Sequence, residues 1–174
     1  LILNQLCGLS GMQIFDHAEV AGWKAYYQSP QYYRIWLNSA TLPDRTDFAV
    51  ALTKGGSANI AGNRINLDDP IIPVMRFLHE IENGIDPNEF IHALADLMFP
   101  YGVTGEQKDY LKSILLDGQP DFVWTEAYSN YFDFVENVPD YENNRDFLNL
   151  FNSIQGQLRE LIAAMLEMPE AQLM

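Results

Sequence analysis

Basic residues and cysteine are both scarce in this sequence of 174 residues. Ten Lys and Arg stand against 24 Asp and Glu, which gives a formal net charge of −14 at pH 7. Charge of this sign repels the phosphate backbone of nucleic acids and anionic lipid head groups, so we expect no nucleic-acid partner. Cys7 is the only cysteine, so no intrachain disulfide can form, and a lone cysteine of this kind is usually a small buried apolar side chain.

Several signatures of membranes, metals and cofactors are also missing from the sequence. It contains no run of 18 apolar residues, so we expect no membrane span. His79 is followed by Glu80 but not by a second histidine four residues later, and Asp68 and Asp69 lack the ligand spacing of a calcium loop. A glycine-rich phosphate loop and a G-x-S-x-G elbow are missing too. The sequence therefore predicts no metal site and no cofactor.

The length fits one domain, which buries about 70% of the surface that the unfolded chain exposes and needs no disulfide or metal to fold. We predict a mainly α fold: an irregular helical bundle with a long ordered aromatic loop and at most one short β-hairpin. The chain opens at Leu1 inside an apolar helical pattern, so we expect the C-terminal part of a longer protein. The predicted segments are a helix tail and the aromatic loop at 1–38, a helix at 39–56, a hairpin at 57–69 and a helical bundle at 70–174.

Capping residues recur along the chain and mark where helices begin. Thr41, Asp86, Thr104 and Asp121 each precede an apolar pattern of helical period. Apolar and polar residues alternate once, from Ala58 to Leu67, and predict the single hairpin. A further helix is expected over the apolar residues from Ile71 to Ile81, with Gly84 as its C-cap. The apolar residues that recur at helical spacing there are Ile71, Val74, Met75, Leu78 and Ile81.

The last helix has the clearest pattern in the sequence. Apolar residues recur at intervals of four and three until Pro169 ends the helix, and they are Phe147, Phe151, Ile154, Leu158, Leu161 and Met165. Gly156 lies in the middle of this pattern, where glycine costs about 1 kcal/mol relative to alanine. We therefore expect another helix or the aromatic loop to approach Gly156 closely.

The aromatic loop is the best candidate for a binding site. It concentrates tyrosine and tryptophan, whose faces stack on sugar rings and whose polar tips donate hydrogen bonds, beside amide and guanidinium groups. The alternative, which we favour, is that the rings anchor the loop to the helices and that their polar tips bond to the backbone. The candidate ligand-binding residues are Trp23, Tyr26, Tyr27, Gln28, Tyr32, Tyr33, Trp36, Asn38 and Arg45.

Four acidic residues in the same region suggest a catalytic alternative. Asp16, Glu19, Asp44 and Asp47 include pairs that could act as acid and base in glycoside hydrolysis, which requires a defined separation between two carboxyl groups. A hydrolase of carbohydrate or envelope polymer therefore stays open beside a binding role.

Several motifs resemble those of a known bacterial family. They are VAGW at 20–23, the aromatic run AYYQSPQYY, WLNSATLPDRTDF at 36–48, PDFVWTEAYSNY at 120–131 and the chain end MPEAQLM. In this order they are similar to the C-terminal part of the family catalogued as domain of unknown function 1800. The family usually has an aromatic residue where this chain has Ala171.

The resemblance implies a mostly helical, exported bacterial protein, located in the periplasm or at the cell surface, and it carries no established activity. From it and from the aromatic loop we expect a non-catalytic binding or assembly domain. The partners expected are the N-terminal part of the same chain, a glycan or another exported protein. Two alternatives are the hydrolase above and a helical glycan-binding protein. Arg45 is expected to be held by carboxylate or backbone oxygens, through its fixed fork of donors.

We predict that Trp23 and Trp36 are both buried while some tyrosines of the loop stay exposed, because each buried aromatic side chain removes about 150–250 Å² from water. Iodide or acrylamide quenching of variants that retain one tryptophan, with Trp124 replaced in each, measures this directly. Weak quenching of both residues is expected. Strong quenching of both would contradict a packing role and would favour a ligand platform.

Overall fold

A computed structural model describes residue 39 and residues 41–60, 63–67 and 69–173. The chain divides into two compact units, Leu1–Pro70 and Ile71–Met174. Over the described residues the structure is mainly helical, with one two-stranded antiparallel hairpin, so the predicted fold class is confirmed. No helix in this part of the chain is long and apolar enough to cross a membrane.

The described part of the first unit is a helix followed by a hairpin. Helix α1 spans Thr41–Lys54, as its capping and glycine signals predicted. Gly55 ends it in the left-handed region, with φ 76°, and donates its N–H to the carbonyl of Ala51 at 2.9 Å. Pro70 lies against Gly55, where an added Cβ would meet the proline ring at 3.2 Å. Glycine at this position therefore serves both the backbone turn and the close packing.

The hairpin begins one residue before the predicted segment 57–69 and ends at Leu67, where the predicted alternation ends. Strand β1 spans Gly56–Ile60 and β2 spans Asn63–Leu67, paired so that Gly56 faces Leu67 and Ile60 faces Asn63. A small apolar cluster joins the hairpin to α1, and its members are Ala51, Phe48, Ile65 and Leu67. Within α1, the fully buried Thr53 hydroxyl donates to the carbonyl of Ala49 at 2.8 Å, so burial leaves no unsatisfied hydroxyl there.

The second unit is a bundle of five α-helices and two short 3₁₀ turns. The elements are α2 (Met75–Glu80), α3 (Pro87–Met98), α4 (Gly105–Leu116), α5 (Asp121–Asn137), a 3₁₀ turn (Tyr141–Asn143), α6 (Arg145–Glu167) and a final 3₁₀ turn (Pro169–Leu173). Helix α6 packs against α4 and α5, while α3 packs against α4. Their apolar faces form one core, whose largest fully buried side chains are Trp124, Phe90, Leu78, Ile91, Leu94, Leu111, Leu115, Ile154, Leu158, Leu161 and Ile162.

Most of the predicted helix starts are confirmed. The Asp86 carboxylate accepts the N–H of Asn88 at 2.8 Å at the start of α3. Thr104 and Gln107 form a reciprocal capping box at α4, with contacts of 3.3 and 2.8 Å. Helix α5 begins at Asp121, as predicted, but its carboxylate turns away from capping and pairs with Lys112 of α4 at 2.7 Å. That hydrogen bond lowers the pKa of Asp121.

The sequence prediction was wrong over residues 71–84. Only Met75–Glu80 is helical there, although the apolar spacing had suggested a helix from Ile71 to Ile81. Pro73 explains the late start, because proline disfavours helical backbone in the residue before it. The left-handed residue that follows α2 is Asn83, with φ 58°, and not Gly84, which had been predicted as the C-cap.

Gly84 is instead a packing position in the core of the second unit. Its carbonyl accepts the buried indole N–H of Trp124 at 2.8 Å. A Cβ at Gly84 would lie 3.0 Å from Tyr128 Cε2 and 3.1 Å from Phe90 Cδ2, closer than side chains normally approach. Glycine is therefore needed here because two aromatic rings occupy the space of a side chain.

Gly156 shows the opposite situation on α6. Apart from the adjacent residues and the nearby backbone of α6 itself, no heavy atom of the described residues lies within 4 Å of the position that its Cβ would occupy. The expected approach of another helix is therefore wrong for the helices described above. The aromatic loop, the other neighbour that had been expected, lies outside the described residues.

These two glycines give a matched test by alanine substitution. Gly84→Ala should lower the free energy of unfolding by about 1–3 kcal/mol, because the new methyl group displaces the rings of Tyr128 and Phe90. Gly156→Ala should raise it by about 1 kcal/mol, because alanine is the better helix former and meets open space. Urea denaturation followed by circular dichroism measures both. A destabilised Gly156→Ala variant would show that an undescribed part of the chain packs on α6.

Candidate functional site

The binding residues predicted from the sequence lie mostly outside the described part of the chain. Only Arg45 is described; it lies on α1, and partial burial lowers the pKa of its guanidinium. The predicted capture of Arg45 by oxygen acceptors stays a prediction. The candidates outside the described residues are Trp23, Tyr26, Tyr27, Gln28, Tyr32, Tyr33, Trp36 and Asn38.

The acids proposed for glycoside hydrolysis are divided in the same way. Asp44 and Asp47 lie three residues apart on α1, the first half-buried and the second exposed. Asp16 and Glu19 lie outside the described residues. Asp44 and Asp47 are therefore the one pair of these four acids for which both members are described.

A continuous series of aromatic contacts runs through the second unit. Helix α5 supplies Trp124, Tyr128, Tyr131 and Phe132, whose spacing of three and four residues places them along one face. Phe90 contacts Trp124 with ring centroids 5.0 Å apart, and Tyr131 contacts Phe147 of α6 at 5.6 Å. Between them the rings of Tyr128, Phe132 and Tyr131 touch in order, at centroid distances of 4.8 and 5.2 Å. Aromatic packing therefore links α3, α5 and α6.

This series ends at an open pocket of about 280 Å³ at the start of α6. We call it the aromatic pocket, and its lining residues are Tyr131, Tyr141, Glu142, Phe147, Leu148 and Phe151. Tyr131 and Phe147 are each 5% exposed and belong to the core as well as to the pocket. Tyr141 and Phe151 are half-buried, and Leu148 is 43% exposed. Four aromatic residues thus line a pocket that is wide open to solvent.

Two neighbouring turns hold the pocket wall in position. Asp140 has a left-handed backbone, with φ 58°, and accepts from the Asn143 side chain at 2.7 Å and from its N–H at 3.1 Å. Asn144 then caps α6 by accepting the N–H groups of Asp146 and Phe147 at 2.8 and 3.3 Å. These bonds fix the 3₁₀ turn before α6. Its tyrosine, Tyr141, lies edge-on to Phe147 with ring centroids 4.8 Å apart.

The phenol of Tyr131 is already engaged on the core side of the pocket. Its Oη lies 3.0 Å from Nε2 of His79, and the His79 ring also contacts Phe132 edge-on. Burial raises the pKa of Tyr131, and the neighbouring phenol of Tyr141 raises it further. Tyr131 therefore stays a neutral phenol over the physiological range, because a higher pKa favours the protonated form.

Glu142 gives the pocket its charge. The residue is exposed, and no hydrogen bond or salt bridge engages its side chain within the described residues. The positive end of the α6 dipole opposes a cation by about 0.3–1 kcal/mol, an effect confined to the first turn. The Asn144 side chain already accepts two of the free N–H groups that create this positive end. Residues 141–151 also carry two acids, Glu142 and Asp146, against one base, Arg145. The net charge of the segment is therefore −1.

The groups of the aromatic pocket can bind and orient a ligand. They comprise four aromatic rings, one carboxylate that is unpaired within the described residues, and the Tyr141 phenol, which is not shared with His79. A few polar groups in a mainly apolar concave surface are the usual composition of a ligand site.

Sequence analysis had assigned none of these residues to a site. Phe147 and Phe151 were identified, correctly, as part of the apolar face of α6, which hid their second role. The available signal was the cluster of turn-forming residues at 139–144, directly before that face. Such a cluster predicts a turn but not which ring it presents.

Histidines and acids in the described part of the chain do not assemble a metal centre. No three His, Cys, Asp or Glu side chains converge within it. His92 lies 3.4 Å from Asp96 one turn later on α3, and His79 is bonded to Tyr131.

In comparisons with known proteins, no family model, no curated protein and no solved structure matches this chain. The resemblance to domain of unknown function 1800 therefore stays a prediction.

Alkaline stability tests the environment of Tyr131. A phenol whose folded pKa is raised contributes stability that is fully present below the unfolded pKa of about 10 and is lost as pH rises through the folded value. The free energy of unfolding should therefore fall above about pH 10, and Tyr131→Phe should make that fall shallower. Burial also raises the pKa of Tyr128, which therefore contributes to the loss of stability that the Tyr131→Phe variant still shows at alkaline pH.

Urea denaturation at a series of pH values between neutral and alkaline measures this dependence. The control is Tyr110→Phe, because Tyr110 is 55% exposed on α4. It should retain the alkaline slope of the unmodified protein. Equal slopes for Tyr131→Phe and the unmodified protein would contradict the assigned burial of this phenol.

Proposed function

We propose that this chain is a non-catalytic binding or assembly domain of an exported bacterial protein, and that the aromatic pocket is a recognition site. The observation that carries the proposal is one open pocket lined by four aromatic residues, Tyr131, Tyr141, Phe147 and Phe151. The family resemblance alone is the reason for proposing that the protein is exported.

Preorganisation supports a recognition role for the pocket. Two of its rings, Tyr131 and Phe147, are packed in the core, and the turn that carries Tyr141 is fixed by the bonds of Asp140 and Asn144. A ligand that enters therefore orders few side chains. Each flexible side chain that must be immobilised on binding costs about 0.5–1.5 kcal/mol, so a preformed wall retains more of the contact energy as affinity.

Size restricts what the pocket receives. A volume of about 280 Å³ lies just below the range of about 300–1,000 Å³ that ligand sites usually span. The pocket therefore suits one small group, such as a head group, a single side chain of a partner or one sugar ring. A long oligosaccharide would extend beyond it over Leu148, whose exposed side chain forms the rim.

A panel of small fragments tests the proposal by NMR. Methyl-labelled leucine makes Leu148 a reporter of the pocket, and Leu97, which is 63% exposed on α3, serves as the control reporter. The panel contains neutral aromatic, neutral aliphatic, ammonium and saccharide fragments at millimolar concentration. At least one class should shift the Leu148 signals and leave those of Leu97 in place.

The same panel separates the rival functions. Saccharides that shift Leu148 would identify the site as glycan-binding, which keeps the pocket and changes its ligand. If no class shifts Leu148 selectively, the aromatic pocket is not a recognition site. Release of a shorter sugar product during the titration would establish hydrolysis and contradict a non-catalytic domain.

A further inference from the structure

We infer that the aromatic pocket binds a small quaternary ammonium group, with Glu142 as the counter-charge. The inference rests on the proposed function, because it names the ligand class of the same pocket. It follows from the combination of four rings and one free carboxylate around a single space.

Ring faces attract cations. The quadrupole of an aromatic ring places negative charge on its faces, and a cation within about 6 Å of the ring centroid is held there. Tyr141 and Phe151 are half-buried lining residues, and Tyr131 and Phe147 are each only 5% exposed. A cation in this open pocket therefore contacts chiefly the two half-buried rings and keeps part of its water, so the attraction is that of a partly exposed site.

Glu142 decides the sign of the ligand charge. Glu142 is one of the residues that line the pocket, and no partner among the described residues neutralises its carboxylate. An anionic ligand would be repelled by Glu142 and by the net charge of −14 of the whole chain. A neutral ligand would cover the carboxylate without compensating its lost water. A cation both compensates the carboxylate and uses the rings.

The scarcity of acceptors favours a quaternary over a primary ammonium. A primary ammonium carries three N–H donors, each of which needs an acceptor when it leaves water. The pocket offers the Glu142 carboxylate and the Tyr141 phenol, while the Tyr131 phenol is bonded to His79 at 3.0 Å. A quaternary ammonium has no N–H and presents methyl groups to the rings. A quaternary ammonium therefore needs no hydrogen-bond acceptor from the pocket.

Choline and its neutral isostere, 3,3-dimethylbutan-1-ol, give a test in which shape is held constant and charge is changed. Both are titrated into the intact chain, with Leu148 methyl shifts as the readout at low salt and at physiological salt. Choline should bind at least about tenfold more tightly than the alcohol. Added salt should weaken choline more than the alcohol, because the counter-charge is exposed.

Two substitutions assign the interaction to named side chains. Glu142→Gln should weaken choline by about 5-fold and leave the alcohol unchanged, since only the cation uses the carboxylate. The matched control is Glu167→Gln, an exposed acid that ends α6, about 33 Å from the first residue of that helix at 1.5 Å per residue. It should change neither affinity. Phe151→Leu should weaken choline by about 2- to 5-fold while the alcohol retains its affinity.

The outcomes separate this inference from the proposed function. Equal affinities for choline and the alcohol, or an unchanged choline affinity in Glu142→Gln, would overturn the assignment of a cation. If neutral fragments shift Leu148 and choline does not, the pocket still recognises a ligand but of another class. If nothing shifts Leu148, both the inference and the proposed function fail. Circular dichroism and urea denaturation of each variant show that it is folded before its affinity is compared.

Discussion

The hydrogen bond from the Trp124 indole to the Gly84 carbonyl, 2.8 Å long and fully buried, sets the position of α5 in the second unit. Loss of either partner would leave a buried polar group unsatisfied, at a cost of about 1–3 kcal/mol. Once Trp124 is placed, helix geometry places Tyr128 one turn further on and Tyr131 after it. Tyr131 meets Phe147 of α6, so a contact between α5 and a loop residue determines where the aromatic pocket has its inner wall.

Local signals in the sequence predicted local structure well. The capping box at Thr104, the cap at Asp86 and the apolar face of α6 each depend on residues within one or two turns, and each is found as expected. The failure at 71–84 has the same local origin, because an apolar spacing was weighted above Pro73, whose effect on the preceding residue prevents a helix there.

The long-range features were beyond such reasoning. Gly84 lies 40 residues from Trp124, and a glycine whose side-chain space is filled by distant rings looks the same in a sequence as a glycine that ends a helix. The aromatic pocket could not be predicted from the sequence for the same reason. Phe147 and Phe151 fit a core pattern, and only the packing of α5 and the 3₁₀ turn shows that one side of this pattern faces an open space. The aromatic loop, where the sequence concentrated the candidates, lies outside the described residues.

Three non-glycine residues of the described chain, Asn83, Asp117 and Asp140, have positive φ angles of 58°, 49° and 58°. Left-handed backbone costs an L-amino acid about 1–2 kcal/mol, and Asn and Asp are the residues that tolerate it best. The turns after α2, after α4 and before α6 therefore each contain one residue in the left-handed backbone conformation. Only glycine, asparagine, aspartate or a D-amino acid suits such a position, whereas a β-branched L-residue does not. Asp140 is not one of the residues that line the aromatic pocket, yet its left-handed backbone restricts, through chirality, which residues can support the pocket wall.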